Sequence, residues 1–191
     1  SPSRGLGDVY KRQLHEVWAR WRCGTLGHAG LRYSTSAALE TWPMPLMTEE
    51  LEQIGKRYSD LRDEIRREES VGLTDLYNWF HDPADNSART EALRDVHREM
   101  DLSVLRAYGW ADIDPGLDFR DVGYLPANDR VRLTVSEEAR VELLRRLTDL
   151  NLERHAQEAA SGARQGSSQG RTKRTAHGGQ GALALIDAPE A

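Results

Sequence analysis

The sequence predicts a mainly α fold, a helical domain with a small β-hairpin, and three patterns carry that expectation. Apolar residues recur at three- and four-residue steps from Leu51 to Ile65, from Leu93 to Tyr108 and from Ala139 to Leu150, the period of helices with one buried stripe. Strict alternation occurs at Val131, Leu133 and Val135, just after Pro126-Ala127-Asn128-Asp129, which is a hairpin signal. Beyond about Ala160 the composition turns to Gly, Ser, Gln, Arg, Lys and Thr, with too little apolar surface to offset chain entropy. With 191 residues, 38% of them hydrophobic and 30% charged, the core is modest and part of the chain is expected to lie outside it.

In order along the chain, residues 1–13 (SPSRGLGDVYKRQ) have no hydrophobic period, no cap and no initiator Met, and read as a disordered or artefactual leader. Leu14, Val17, Trp18 and Trp21 then fall at helical spacing, until Gly24, Gly27 and Gly30 open a loop. A short extended run follows, and Trp42-Pro43-Met44-Pro45 must stay out of helical geometry because each proline restricts its predecessor. Thr48 is placed to cap a long helix, with Glu49, Glu50 and Glu52 at its positive end. Leu51, Ile54, Tyr58, Leu61 and Ile65 make a seam of about two heptads on it. Leu73, Leu76, Tyr77 and Phe80 form one face of a short helix that Asp82-Pro83 stops, and Asp85, Asn86 or Ser87 caps the next. That helix buries Leu93, Val96, Met100, Val104 and Tyr108, and ends at Gly109. After the Asp114-Pro115-Gly116 turn comes the hairpin, near 117–135, and then a last helix capped by Ser136 with Ala139, Leu143, Leu147 and Leu150 on its stripe.

Charge and composition narrow the function classes. A net charge of −5 excludes a uniformly basic nucleic-acid binder but leaves room for a local basic face. One cysteine, Cys23, cannot form an internal disulfide, and no apolar run reaches the roughly 18 to 20 residues of a membrane span, so a cytoplasmic chain without membrane contact is expected. His81, Asp82, His97 and Asp101 include a pair four residues apart that could share a metal, although His at such a place more often bonds within a helix pair. Cys23 or Ser136 as a nucleophile needs a base that sequence does not reveal. Tyr77, Trp79 and Phe80 could stack on bases, but their spacing favours core for Tyr77 and Phe80. Arg164, Arg171, Lys173 and Arg174 have no acidic neighbour between Ser161 and Gln180, which makes residues 161–191 a weakly basic, disordered tail.

Several of these blocks together resemble a known family. LTDLYNWFHDP and EALRDVHREMDLSVLRAYGW, between Val71 and Trp110, and SEEARVELLRRLTDLNLERHAQE near the end are similar to the C-terminal helical part of large adenine-specific (N6) DNA methyltransferases of the type IIG/IIL restriction-modification family. His15 to Ala19 (HEVWA), the glycine loop from Gly24 to Gly30, Arg32-Tyr33-Ser34-Thr35-Ser36 and the exit from Trp42 to Pro45 resemble the segment that closes the target-recognition region of the same enzymes. The likeness covers Leu14 to Glu158, with the blocks in the same order. It departs from the family's pattern at Trp42, where Phe is expected, and at Trp79, where Arg is expected.

The resemblance implies a C-terminal fragment: residues 14–46 as the end of the target-recognition region, residues 47–160 as the helical domain, and a parent protein that methylates adenine in a specific duplex site. Its partners are then double-stranded DNA and its own missing N-terminal methyltransferase domain. S-adenosylmethionine is the parent's cofactor, with none expected in the fragment. The chain has no Asn-Pro pair for the aromatic-terminated Asn-Pro-Pro motif that holds the adenine amino group, and the GHAGL glycines lack a preceding apolar strand. No catalytic, cofactor or metal residue carries over. Arg32, Tyr33, Ser34 and Thr35 are the candidate DNA-binding residues, combining a guanidinium, an aromatic ring and two hydroxyls on a loop or strand. Their alternative is an Arg32 paired with an acid and a Tyr33 packed in the core. The competing function is a free-standing helical protein-interaction module, pairing through its heptad-like helix and tethered by the basic tail.

Overall fold

A computed structural model describes residues 13–24, 31–123, 125, 127 and 130–169, with side chains described through residue 161. The leader before Gln13 and the tail after Gln169 lie outside the described residues. The observed elements are α1 (Gln13–Arg22), α2 (Thr35–Ala38), α3 (Glu49–Glu68), α4 (Leu73–His81), α5 (Ala88–Tyr108), β1 (Asp118–Asp121), β2 (Val131–Thr134) and α6 (Glu137–Gln169). The fold is mainly helical with a two-stranded antiparallel hairpin, the class the patterning predicts. Up to Arg154 the described residues belong to one compact unit, and those from His155 on group separately. Among the described residues no helix is long and apolar enough to cross a membrane.

The helix boundaries follow local chemistry. Thr48 Oγ1 accepts from Leu51 N at 3.2 Å, and Ser136 Oγ accepts from Ala139 N at 3.1 Å, so both expected caps satisfy a free N–H of the first turn. Ser87 is the N-cap of α5, but its hydroxyl donates to Thr90 Oγ1 at 3.0 Å while Asp85 Oδ1 accepts from Ser87 N. Gly109 ends α5 at φ +77, where Trp110 N reaches back to Leu105 O and Gly109 N to Arg106 O. This is the left-handed closure that glycine adopts without a Cβ clash. Gly116, at φ +54, leaves only 3.0 Å between a built Cβ and Ser136 Cβ, so the Asp114-Pro115-Gly116 turn packs directly on the start of α6.

The core lies where the helical stripes meet. Leu51, Ile54, Tyr58 and Ile65 of α3 pack against Leu93, Val96, Met100 and Val104 of α5, closed by Leu76 and Phe80 of α4 and by Leu133, Val135 and Leu143. The heptad-like seam of α3 is thus taken up by α5 of the same chain. In the hairpin Phe119 pairs with Leu133 and Asp121 with Val131; Leu133 and Val135 are buried, whereas Val131 at the outer end is exposed. α1 joins the same body. Leu14 and Val17 enter the main core, Trp18 packs with Trp42 and Leu147, and Gln13 exchanges hydrogen bonds with Leu133 O and Thr134 Oγ1. Gln13, the last residue assigned to the leader, is therefore buried at the start of α1. At the other boundary α6 continues past Ala160 to Gln169.

Arg146 clamps α6 to the turn after α5. It donates to both oxygens of Asp112, at 2.8 and 2.5 Å, and to Glu142 at 2.6 Å, and its guanidinium lies 5.9 Å from the Trp110 ring centre. The Arg146 hydrogen bond holds the Asp112 carboxyl down at about 2, and Arg145 with Arg146 holds Glu142 at about 2. Carboxyls depressed in the folded state stabilise it above their unfolded values, and that contribution is lost as pH falls through the folded ones. Denaturant midpoints are therefore expected to drop between about pH 4.5 and pH 2. Asp112→Asn is expected to lower the midpoint at neutral pH and to flatten that acid dependence, by an amount limited by solvent screening. An Asp112→Asn variant whose acid profile parallels that of the natural chain would rule out this clamp as a source of the effect.

Candidate nucleic-acid interface

The segment from Leu31 to Ser34 runs back along the end of α1. Arg32 N donates to Gly24 O at 2.9 Å, and Ser34 N donates to Cys23 Sγ at 3.4 Å. Cys23 is buried there with Ala19 and Ala38, so its thiol serves the packing of this turn. Ser34 Oγ caps α2 by accepting from Ala37 N at 3.4 Å and lies 3.1 Å from Ser36 Oγ. Thr35 begins α2 and is exposed. Of the four candidate residues, the structure commits Ser34 to a local cap and leaves Arg32, Tyr33 and Thr35 at the surface.

Tyr33 is 49% exposed, not packed into the core, and its hydroxyl lies 3.1 Å from His15 Nε2. His15 is buried between the Tyr33 ring, edge-on at 6.0 Å, and the Trp42 ring at 4.5 Å. Burial lowers the imidazole's pKa and raises that of the Tyr33 hydroxyl, with Cys23 adding to the latter. Both groups are therefore held neutral near neutral pH. Their contact positions the tyrosine ring.

Arg22 and Arg32 differ from most cations of the body, Arg20 beside them included. Arg20 pairs with Glu16 one turn back, Arg57 with Glu99, Arg98 with Asp95, Arg106 with Glu50 and Arg145 with Glu142. Among the described residues no carboxylate or carbonyl oxygen pairs with the side chain of Arg22 or Arg32. Arg32 is exposed. Arg22 lies over two indoles, 5.7 Å from the Trp18 ring centre and 5.4 Å from that of Trp21. Trp21, which its spacing assigns to the buried stripe of α1, is 49% exposed, while Trp18 is fully buried.

The other sequence candidates resolve into architecture. His81 Nδ1 accepts from Leu133 N at 3.2 Å, and Asp82 Oδ1 accepts from Ala84 N at 2.9 Å. His97 and Asp101 are both buried on α5, 3.4 Å apart, with His97 5.1 Å from the Phe80 ring. The four residues thus serve three separate places, and among the described residues no group of three His, Cys, Asp or Glu has metal-holding geometry. Phe80 is buried, Tyr77 and Trp79 pack on the same core, and the Tyr77 hydroxyl meets that of Tyr58 at 3.0 Å. These rings do not form a free stacking face.

Sequence reasoning passed over Arg22 and Arg94. Arg94 is 1% exposed. Its guanidinium donates to Phe80 O at 3.0 Å, Trp79 O at 2.9 Å, Asp82 O at 2.7 Å and Asp85 O at 2.6 Å, meets the Glu91 carboxylate, and lies 5.0 Å from the Phe119 ring centre. It closes the C-terminus of α4 from inside the fold. A signal for Arg22 was present in HEVWARWR: Arg20 has Glu16 four residues back, whereas Arg22 has Trp18 there. Comparison with protein-family models, curated proteins and solved structures finds no match.

Proposed function

We propose that this chain is the DNA-facing close of a target-recognition region together with the helical scaffold behind it, from a site-specific DNA adenine-N6 methyltransferase. The ordered blocks from Leu14 to Glu158 support the family. The observation that carries the DNA contact is the exposed Arg32 beside Tyr33, with no acid partner among the described residues. In a chain of net charge −5, a cation with no acid beside it is where a phosphate or base edge meets least repulsion. Methyl transfer belongs, in this reading, to an N-terminal domain of the parent protein. The strands described here form a lone antiparallel hairpin, and among the described residues no strand feeds a glycine turn into a helix to cradle S-adenosylmethionine. No step is therefore assigned to that cofactor on these residues. The free-standing interaction module is the weaker reading, since the α3 seam it would offer to a partner is covered by α5.

Arg32→Ala is expected to weaken duplex binding, by about 1 to 3 kcal/mol where Arg32 reads a guanine. Arg66→Ala on α3 is expected to do little, because Arg66 stands beside Asp63 at 3.6 Å. Competition binding with duplexes of varied sequence checks both. Unchanged affinity and site preference in Arg32→Ala, or a larger loss in Arg66→Ala, would move the DNA contact away from this segment.

A further inference from the structure

We infer that Arg22 is a second phosphate-contacting residue and that, with Arg32, it forms a two-point clamp on a DNA backbone at the C-terminal end of α1. The inference deepens the DNA reading of Arg32 and rests on it. Its own observation is the way Arg22 is held. Elsewhere in the body guanidinium groups are fixed by oxygen acceptors, a backbone carbonyl for Arg120 and Arg154 and a carboxylate for many others. The carboxylate both orients the group and cancels its charge; Arg146 between Asp112 and Glu142 is the clearest case. Arg22 is fixed by the faces of Trp18 and Trp21. A ring face orients the planar cation through its quadrupole without neutralising it, and it engages none of the in-plane N–H donors.

Among the described residues the group is therefore held against ring faces with no acid or carbonyl on its N–H donors, the condition in which a fork of donors meets a phosphate with little further loss of freedom. Trp18 is anchored in the core and Trp21 is half-exposed, so the plate is rigid on one side and open on the other. The Arg32 N to Gly24 O hydrogen bond sets the second such cation on the segment alongside the end of α1, two residues past Arg22 in that helix's direction. Two cations of this kind on adjoining segments of an acidic chain suit an extended polyanion. A single small anion would need only one of them.

The test uses the full chain and a short DNA duplex, with affinity measured by fluorescence anisotropy between about 50 and 200 mM salt. Arg22→Ala and Arg32→Ala are each expected to reduce the slope of log affinity against log salt by about 0.9, and the double variant by about twice that. Arg22→Lys is expected to restore most of the slope, because it keeps the charge. Trp21→Leu should lower affinity while leaving the slope nearly intact, since it removes the plate but not the cation. Circular dichroism of each variant establishes that the helices persist. A slope lowered by Arg32→Ala and untouched by Arg22→Ala would overturn the clamp and leave the DNA reading standing. No salt-dependent duplex binding by the unaltered chain would overturn both, as would binding that requires Arg22 but appears only with anionic lipid vesicles.

Discussion

Arg94→Met is expected to destabilise the body by about 2 to 4 kcal/mol, since each buried polar group left without its hydrogen bond costs about 1 to 3 kcal/mol. The reason is what the guanidinium leaves behind. Trp79 O and Asp82 O each also accept a backbone N–H, from Asp82 and Asp85, whereas Phe80 O at the end of α4 and Asp85 O in the turn before α5 accept from the Arg94 guanidinium. Methionine fills much of the volume and offers no donor, so Phe80 O and Asp85 O would lose the guanidinium that satisfies them. Arg94→Lys keeps the charge but has no planar fork to span them, and is expected to recover only part of the loss. Arg89→Met is the control: its partner is Glu69 and its side chain is 45% exposed, which limits that pair to about 1 kcal/mol or less. Urea unfolding of the three variants measures the differences. A cost for Arg94→Met no greater than that for Arg89→Met would mean that water, not Arg94, satisfies the end of α4.

That network gives the conspicuous run from Leu73 to Pro83 a physical account. Leu76 and Phe80 fill the core, His81 ties α4 to the hairpin through Leu133 N, Asp82 turns the chain, and Arg94 gathers the carbonyls of the corner. Residues that could have been chemistry, aromatic, His and Asp side by side, are used to hold a corner. Among the described residues, the cations without an acid partner include Arg22 on α1 and Arg32 on the segment returning to it.

The long helices, most caps and the hairpin were legible in the sequence because each depends on contacts close along the chain, whereas α2 stands where an extended run was expected, its single turn started by the Ser34 cap. Thr48, Ser136 and Gly109 act within one turn of themselves, and the stripe from Leu93 to Val104 needs only a period. The misplaced residues are those whose burial is decided from far away. Trp21 shares the spacing of Trp18, but only Trp18 meets Trp42 and Leu147, so one indole is enclosed and the other is not. Arg94 stands in a helix full of charges, where nothing local separates a buried guanidinium from a solvated one. At the candidate interface, the residue types of Arg32 and Tyr33 were readable, but their exposure was not. Whether Arg32 has an acid beside it depends on how the segment after Gly30 returns to α1, a contact fixed by the hydrogen bond to Gly24.

Trp18→Ala is expected to cost about 3 to 5 kcal/mol, the usual range for truncating a fully buried aromatic, and to act on the interface as well as on stability. Its indole fills the space between Trp42 and Leu147, and its Nε1 donates to Thr41 Oγ1 at 3.3 Å. Asn151 donates to Thr41 O at 2.5 Å and Arg154 to Met44 O at 2.8 Å, so the same contact region fastens the segment after α2 to α6. Loss of the indole opens a cavity at that junction and withdraws the support under Arg22. Trp21→Ala removes a ring that is 49% exposed and should change stability by no more than about 0.5 to 1 kcal/mol. Urea unfolding followed by far-ultraviolet dichroism and by tryptophan fluorescence separates the cases. Coincident transitions at a lowered midpoint are expected for Trp18→Ala, because α1 shares the main core through Leu14 and Val17. An early fluorescence transition with the helical signal unmoved would instead make residues 14–46 a separately folding block, and equal costs for the two tryptophans would remove Trp18 as the anchor of the interface.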